Sequence, residues 1–398
     1  MGALLALQSI VALRAGYRFL RFVRKARREP PGDYAPFAVL IIPCKGIHPG
    51  FDTNLQNFLA QDYPNYQVIL VVASEKDPAY EYLEKHLGSL STSRGAPQAA
   101  LIVAGYADDC GEKVHNLRRG LSAVDPAAKV LVFADVDARP ARDWLRSLVA
   151  PLADAKTLVS TGFRWYLPGA SFVSQLRAAW DTSIATLLGD HDHNFAWGGS
   201  MAIRREDFAR LDVPGRYWAN TVSDDYALTR AAREAGGGIY FQPRCLLASR
   251  EDSSLREFLR WSNRQIIITR VYAPHLWRLG LAAHLLYSAT FLLGATVLVV
   301  PGVAWPARVG IAALLTGILA LGMAKARLRS IAAREMFSEE APTLARYGAR
   351  YWQLAPLVPW VMLFNFLVAG FTRHIEWRGT HYELRSRNEV RVLRREGP

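Results

Sequence analysis

Between residues 36 and 250, short apolar runs rich in β-branched residues alternate with stretches of helical spacing. AVLIIP (38–43), QVILVVA (67–73), AALIVA (99–104) and KVLVFAD (129–135) are bounded by Pro, Gly or Asp and predict strands. Helical spacing intervenes at 51–61, 79–87 and 113–123. Such alternation predicts an α/β domain, a mostly parallel sheet covered by helices.

Past residue 250 the pattern changes. Residues 255–272 form a basic amphipathic stretch with Arg256, Arg260, Arg264 and Arg270, part of an interfacial helix spanning 251–278. Residues 279–300 then carry no charged side chain apart from any charge on His284. They are long enough to cross about 30 Å of hydrocarbon. Residues 309–324 are equally uncharged, and the connector PGVAWPAR makes 279–324 a membrane hairpin. A third run, 354–371, contains Pro356, Pro359 and Asn365 and reads as a kinked or re-entrant segment. At the other end GALLALQSIVAL (2–13) precedes seven basic residues at 14–28, the reverse of a secretory signal. Residues 1–35 therefore read as a membrane anchor or interfacial helix, 325–353 as a basic cytoplasmic segment and 372–398 as a basic tail.

Charge sharpens this division. The net charge of +13 sits mainly in the flanks: seven Arg and Lys against two acidic residues in 1–35, and 13 against seven in 325–398. The middle is nearly balanced, with 28 against 26. A basic balance can mean a polyanion partner, but a near-neutral middle excludes a nucleic-acid binder. The flanks instead fit an anionic cytoplasmic leaflet, and the whole reads as an integral, multi-pass protein with its α/β domain in the cytoplasm. Cys44, Cys110 and Cys245 have no paired or metal-ligand spacing, which favours a reducing compartment.

In open parallel sheets ligands bind beyond the carboxyl ends of the strands. That rule selects Lys45 after the first strand, Asp77 after the second, and Asp135 and Asp137 at the end of the fourth. Two carboxylates in the DVD at 135–137 can aim at one divalent cation, Mg²⁺ or Mn²⁺, that also binds substrate phosphates. The competing reading of such a pair is a turn or a helix cap. Ser223, Asp224 and Asp225 begin another helix, where one serves as a cap and another suits a general base for an acceptor hydroxyl. Arg260 and Trp261 either snorkel at the bilayer or reach the site, where a guanidinium stabilises a leaving diphosphate. The His191, Asp192 and His193 cluster reads as a polar loop rather than a metal site.

With these residues in view, PCKGIHPGFDTNLQNFLAQDYPNYQVILVVASEKDPAY (43–80) closely resembles the opening of the ceramide glucosyltransferases, glycosyltransferase family 21, and their bacterial hopanoid-associated relatives. EKVHNL (112–117), the DVD, AWGGSMAIRRE (196–206), the SDDY, the RW at 260–261 and IEWRGTHYEL (375–384) follow in the family's order. The resemblance implies a Rossmann-like GT-A catalytic domain of the inverting family 2 type. It implies that Asp77 lies against the nucleotide base, that Lys113 and Asn116 belong to the segment near the nucleotide, and that Asp135 is on the ribose and metal side. It places Asp137 as the metal ligand, Asp225 as the base, and Arg260 with Trp261 at the end of the (Gln/Arg)-x-x-Arg-Trp motif. Glu257 departs from that motif's first position.

The function implied is inverting transfer of a hexose, glucose in the first instance, from a UDP-sugar to a lipid hydroxyl such as that of ceramide. Two rivals remain at this point. One is a processive polysaccharide synthase, which would usually carry more membrane helices; the other is an inactive relative that binds nucleotide or lipid without chemistry.

Overall fold

A computed structural model describes residues 1–90 and 97–396. The chain divides into two compact units. One holds residues 28–164, 190–249 and 373 onward; the other holds 1–27, 165–189 and 250–372.

The first unit is built on a seven-stranded sheet: β1 (Ala38–Cys44), β2 (Tyr66–Val72), β3 (Gln98–Val103), β4 (Val130–Ala134), β5 (Thr157–Tyr166), β6 (Ser200–Arg204) and β7 (Gly238–Ser249), in the order β3-β2-β1-β4-β6-β5-β7. The four strands expected from sequence are the four parallel ones. Their side chains alternate into two cores. Leu40, Ile42, Val68, Leu70 and Val132 enter one face, and Val39, Ile41, Ile69, Val71 and Phe133 the other. A strand buried on both faces reads as a continuous apolar run, which is why β1, β2 and β4 were legible; β3, at the sheet's edge, is equally apolar but only half-buried. Strand β6 runs antiparallel to β4 and β5. It is only five residues long, and β7 contains Pro243 at the sheet's edge, where a missing N–H is tolerated. The sheet is the mostly parallel α/β arrangement of the GT-A class expected above.

The helices, in chain order, are α1 (Gly2–Arg28), α2 (Phe51–Leu59), α3 (Pro78–Leu90), α4 (Glu112–Gly120), α5 (Trp144–Val149), α6 (Phe172–Ala185), α7 (Arg205–Arg210), α8 (Asp224–Glu234), α9 (Leu255–Tyr272), α10 (Pro274–Val299), α11 (Trp305–Met336), α12 (Ala341–Tyr347), α13 (Arg350–Gln353) and α14 (Val358–Phe371). Ser223 caps α8, and Gly236, at φ 70°, follows its end.

The segment from 372, read from sequence as a basic tail, folds instead as three antiparallel strands, β8 (His374–Trp377), β9 (Thr380–Ser386) and β10 (Glu389–Arg395). Ile375, Tyr382, Leu384 and Val390 are buried between outward-facing basic residues; the density of charge hides this alternation in the sequence. Residues 397–398 lie outside the described residues.

In the other unit, α1, α10 and α11 are long and apolar enough to cross a membrane, whereas α14, at 14 residues, is shorter. Helix α11 is 32 residues long and overruns the 309–324 stretch into the basic segment. Polar side chains stitch this unit together. Asn365 of α14 accepts from Trp180 Nε1 of α6 at 3.0 Å and donates to Ser262 Oγ at 3.0 Å and Asn263 Oδ1 at 2.7 Å on α9.

Candidate active site

Strands β1, β2 and β4 run parallel, so their carboxyl ends share one side of the sheet. At the end of β1, Gly46 adopts φ 63° and donates its N–H to Asp77 Oδ1 at 2.8 Å, while the same oxygen accepts from Ala79 N at 2.8 Å. Asp77 thus caps α3 and ties its start to the β1 exit. Lys45 Nζ reaches Glu112 Oε1 at the start of α4, 2.9 Å away. Asn116, one turn further along α4, is buried with its Oδ1 lacking a hydrogen-bond partner.

Asp135 and Asp137 leave the end of β4 and keep side-chain exposures of 28% and 24%. Three cations surround them. Arg164 of β5 donates to Asp137 Oδ1 at 2.6 Å and to Asp135 Oδ2 at 3.5 Å. Arg378, in the turn between β8 and β9, donates to Asp137 Oδ2 at 3.4 Å. Lys113 Nζ lies 2.8 Å from Asp135 Oδ1. Burial alone would raise the Asp137 carboxyl, but the Arg164 guanidinium, reinforced by Arg378 and His48, holds it well below the usual carboxylate range.

Lys113 Nζ is enclosed by acceptors of the protein itself. Besides Asp135 it meets Asp224 Oδ2 at 3.0 Å and donates to Gly198 O at 3.1 Å. Burial would lower its pKa, yet the carboxylates of Asp135 and Asp224 outweigh that and raise it. Placed near the nucleotide by the resemblance, Lys113 acts in this structure as a strut between the DVD and the SDDY. Gly198 permits the approach: a Cβ there would collide with the Asp224 carboxylate and crowd Lys113 Nζ at 2.7 Å.

The two SDDY aspartates differ. Asp224 is buried at the start of α8, and burial pushes its pKa up to about 6 against the pull of Lys113. Asp225 is half-buried. Its Oδ1 accepts from Tyr226 N at 2.7 Å and from Ser223 Oγ, and its Oδ2 accepts from Gly198 N at 3.3 Å. A hydrogen-bonded path therefore joins Asp77, Gly46, Lys45, Arg378, Asp137, Arg164, Asp135, Lys113, Gly198 and Asp225.

Arg260 and Trp261 lie on α9, in the other unit. Arg260 is exposed; Trp261 packs on Trp180 at 5.1 Å and under the Arg177 guanidinium at 4.4 Å. Glu257 acts locally, for its Oε2 accepts from Ser254 N at 2.7 Å and completes a capping box at the start of α9.

Arg164 and Arg378 were missed as site residues. The available signals were a lone arginine inside the apolar run of β5 and an arginine before glycine in a two-residue turn.

The donor set suits a hard divalent cation in kind, since Asp135 and Asp137 offer carboxylate oxygens at a strand end. Among the described residues no group of three or more His, Cys, Asp or Glu could hold a metal alone. Such an ion would also need oxygens from a substrate phosphate, as Mg²⁺ commonly does.

A mostly parallel α/β sheet with a DVD at its carboxyl edge and a second aspartate pair tied to it is a scaffold suited to a glycosyltransferase. The model of glycosyl transferase family 21 matches residues 3–390, and the chain belongs to that family. A ceramide glucosyltransferase of Komagataella phaffii is 32% identical over 123 residues, 29% of this chain and 23% of that relative's length. Among solved structures, a mannosyltransferase of Pyrobaculum calidifontis in complex with GDP-Man and Mn²⁺ aligns over 93% of this chain and 98% of its own, with 17% identity and a TM-score of 0.47. Glucosyl-3-phosphoglycerate synthase of Mycobacterium tuberculosis aligns over 63% and 82%, with 16% identity and a TM-score of 0.38.

Proposed function

We propose that this glycosyltransferase moves a hexose, glucose in the first instance, from a UDP-sugar to the hydroxyl of a membrane lipid such as ceramide, with inversion at the sugar carbon. The observation that carries the reading is the path of hydrogen bonds from the DVD through Lys113 to Asp225. It fixes a donor-side carboxylate pair and an accessible carboxylate in one rigid frame. Family membership and the stretch shared with a ceramide glucosyltransferase support the sugar and lipid assignments.

In this reading Asp225 takes the proton of the attacking hydroxyl; Ser223, Tyr226 N and Gly198 N hold its carboxylate in place. Asp77, Lys45 and Asn116 line the nucleotide side. Asp135 and Asp137 would hold Mg²⁺ or Mn²⁺, whose chemistry is to neutralise charge on the departing diphosphate. Arg260, with Trp261 beside it, would assist by stabilising that leaving diphosphate. A lipid acceptor accounts for α1, α10 and α11, which can hold the protein at a bilayer whose basic-flanked side is cytoplasmic. Membranes containing the protein should be incubated with a panel of labelled UDP-sugars and the labelled lipid identified by mass spectrometry. A single labelled glycolipid from UDP-glucose is expected. Label in a polymer, or in no lipid at all, overturns the reading.

A further inference from the structure

We propose that Arg378 is a displaceable diphosphate ligand: it neutralises Asp137 while no donor is bound and transfers its guanidinium to the nucleotide's diphosphate when a divalent cation takes the Asp137 carboxylate. This deepens the nucleotide-sugar reading and rests on it.

The hairpin that carries Arg378 is built to present it. Trp377 pairs with Thr380, leaving Arg378 and Gly379 as a two-residue turn with φ 47° and 74°. Both central residues are left-handed, as in a type I′ turn, where Asn, Asp or Gly is the usual first residue. A long cationic side chain in that conformation is strained, and such strain persists where the surrounding structure holds it. Here the hold is visible. Tyr382 is buried and its hydroxyl accepts from Glu112 N at 3.2 Å; Arg230 donates to Asn388 Oδ1 at 2.9 Å. Hairpin, α4 and α8 are thereby fixed together, and Arg378 ties the turn to the β1 exit by donating to the carbonyl of Lys45 at 3.0 Å.

The chemistry follows from competition. Asp137 has two oxygens: Arg164 engages both, Oδ1 at 2.6 Å and Oδ2 at 3.3 Å, and Arg378 adds a second donor to Oδ2 at 3.4 Å. A cation that binds Oδ2 competes with the two guanidinium groups already there. Arg164 holds both oxygens and is 11% exposed, whereas Arg378 holds one, at 3.4 Å, and is 42% exposed. Arg378 is therefore the group that yields. Once released it stands beside the cation with donors open to a new partner. The anion that accompanies a cation bound by only two carboxylates is the substrate's diphosphate, which a guanidinium fork matches in shape and charge.

The test measures binding to purified full-length protein in detergent, without turnover. Asn tolerates the left-handed turn, so Arg378→Asn should keep the hairpin and an unchanged melting temperature. Calorimetric titration of UDP in saturating Mn²⁺ is expected to show affinity lowered about 10- to 100-fold in Arg378→Asn. Mn²⁺ alone should bind about two- to fivefold more tightly, because its competitor for Asp137 is gone. Arg378→Lys should restore the wild-type Mn²⁺ affinity while recovering only part of the UDP affinity, lacking the fork. Opposite movements of the two affinities support the proposal, since a purely structural hairpin residue would weaken both. If wild type binds UDP and Arg378→Asn binds it equally, or if both affinities fall together, the proposal is wrong and the nucleotide-sugar reading stands. If wild type binds neither UDP nor GDP with Mn²⁺, the reading and the proposal fall together.

Discussion

Two buried polar clusters, one in each unit, are satisfied in opposite ways. In the helical unit Asn365 gives and receives hydrogen bonds among neutral partners, and Trp165 Nε1 donates to Tyr351, whose hydroxyl donates to Tyr166 O at 2.8 Å. Every one of those contacts saturates a group that would otherwise cost free energy in an apolar setting. In the sheet unit, by contrast, Asp135, Asp137, Asp224 and Asp225 crowd a strand edge against Lys113, Arg164 and Arg378. Charges held this way contribute little to stability against apolar substitutes, yet they can be exchanged for a ligand's charges. Neutral saturation specifies helix packing; charged, exchangeable pairing marks the place for chemistry.

Substitutions should separate the two behaviours. The largest effect is expected at the strand edge: Asp225→Asn and Asp137→Ala should each lower lipid glycosylation by about 10²- to 10⁴-fold. Initial rates in a purified assay read this out, and thermal scans should show little loss of folding. Full turnover in either variant would remove that carboxylate from the mechanism. In the helical unit the expectation reverses. Asn365→Ala strands Trp180 Nε1 and frees α9 from α14, costing about 3 kcal/mol at roughly 1 kcal/mol per lost hydrogen bond. It should appear as a lower melting temperature, with turnover per folded molecule retained at permissive temperature.

The same contrast explains what was legible in the sequence. Apolar strands β1 to β4 announce themselves, and the rule for parallel sheets then points to Lys45, Asp77, Asp135 and Asp137 without further information. The partners of those residues do not announce themselves. Arg164 comes from a strand 27 positions beyond Asp137, and Arg378 lies 241 positions beyond it in a segment whose charge masked its strands. Lys113 was legible as a site residue but not as a strut, because its three acceptors converge only when β4, α8 and the Gly198 loop are folded together. Glu257 looked like a functional departure and is a helix cap, a role that Ser254 three residues earlier could have signalled.

The smallest effect tests whether the carboxylate cluster is held against its own repulsion and burial. Asp224 has a folded-state pKa of about 6 against an ordinary 3.8, with burial as the leading cause. The native state therefore binds this proton more tightly than the unfolded chain does. Its contribution to stability is complete below about pH 4 and is lost as pH rises through about 6. In Asp224→Asn that dependence is absent. The stability of wild type minus that of the variant, measured by denaturant titration in detergent at fixed salt, should fall by on the order of 1–2 kcal/mol between pH 4 and 7. A difference that instead grows with pH would mean that the Lys113 ion pair outweighs burial. The sheet unit's charges would then be structural in the same sense as Asn365, and the distinction between the two units would rest on exposure alone.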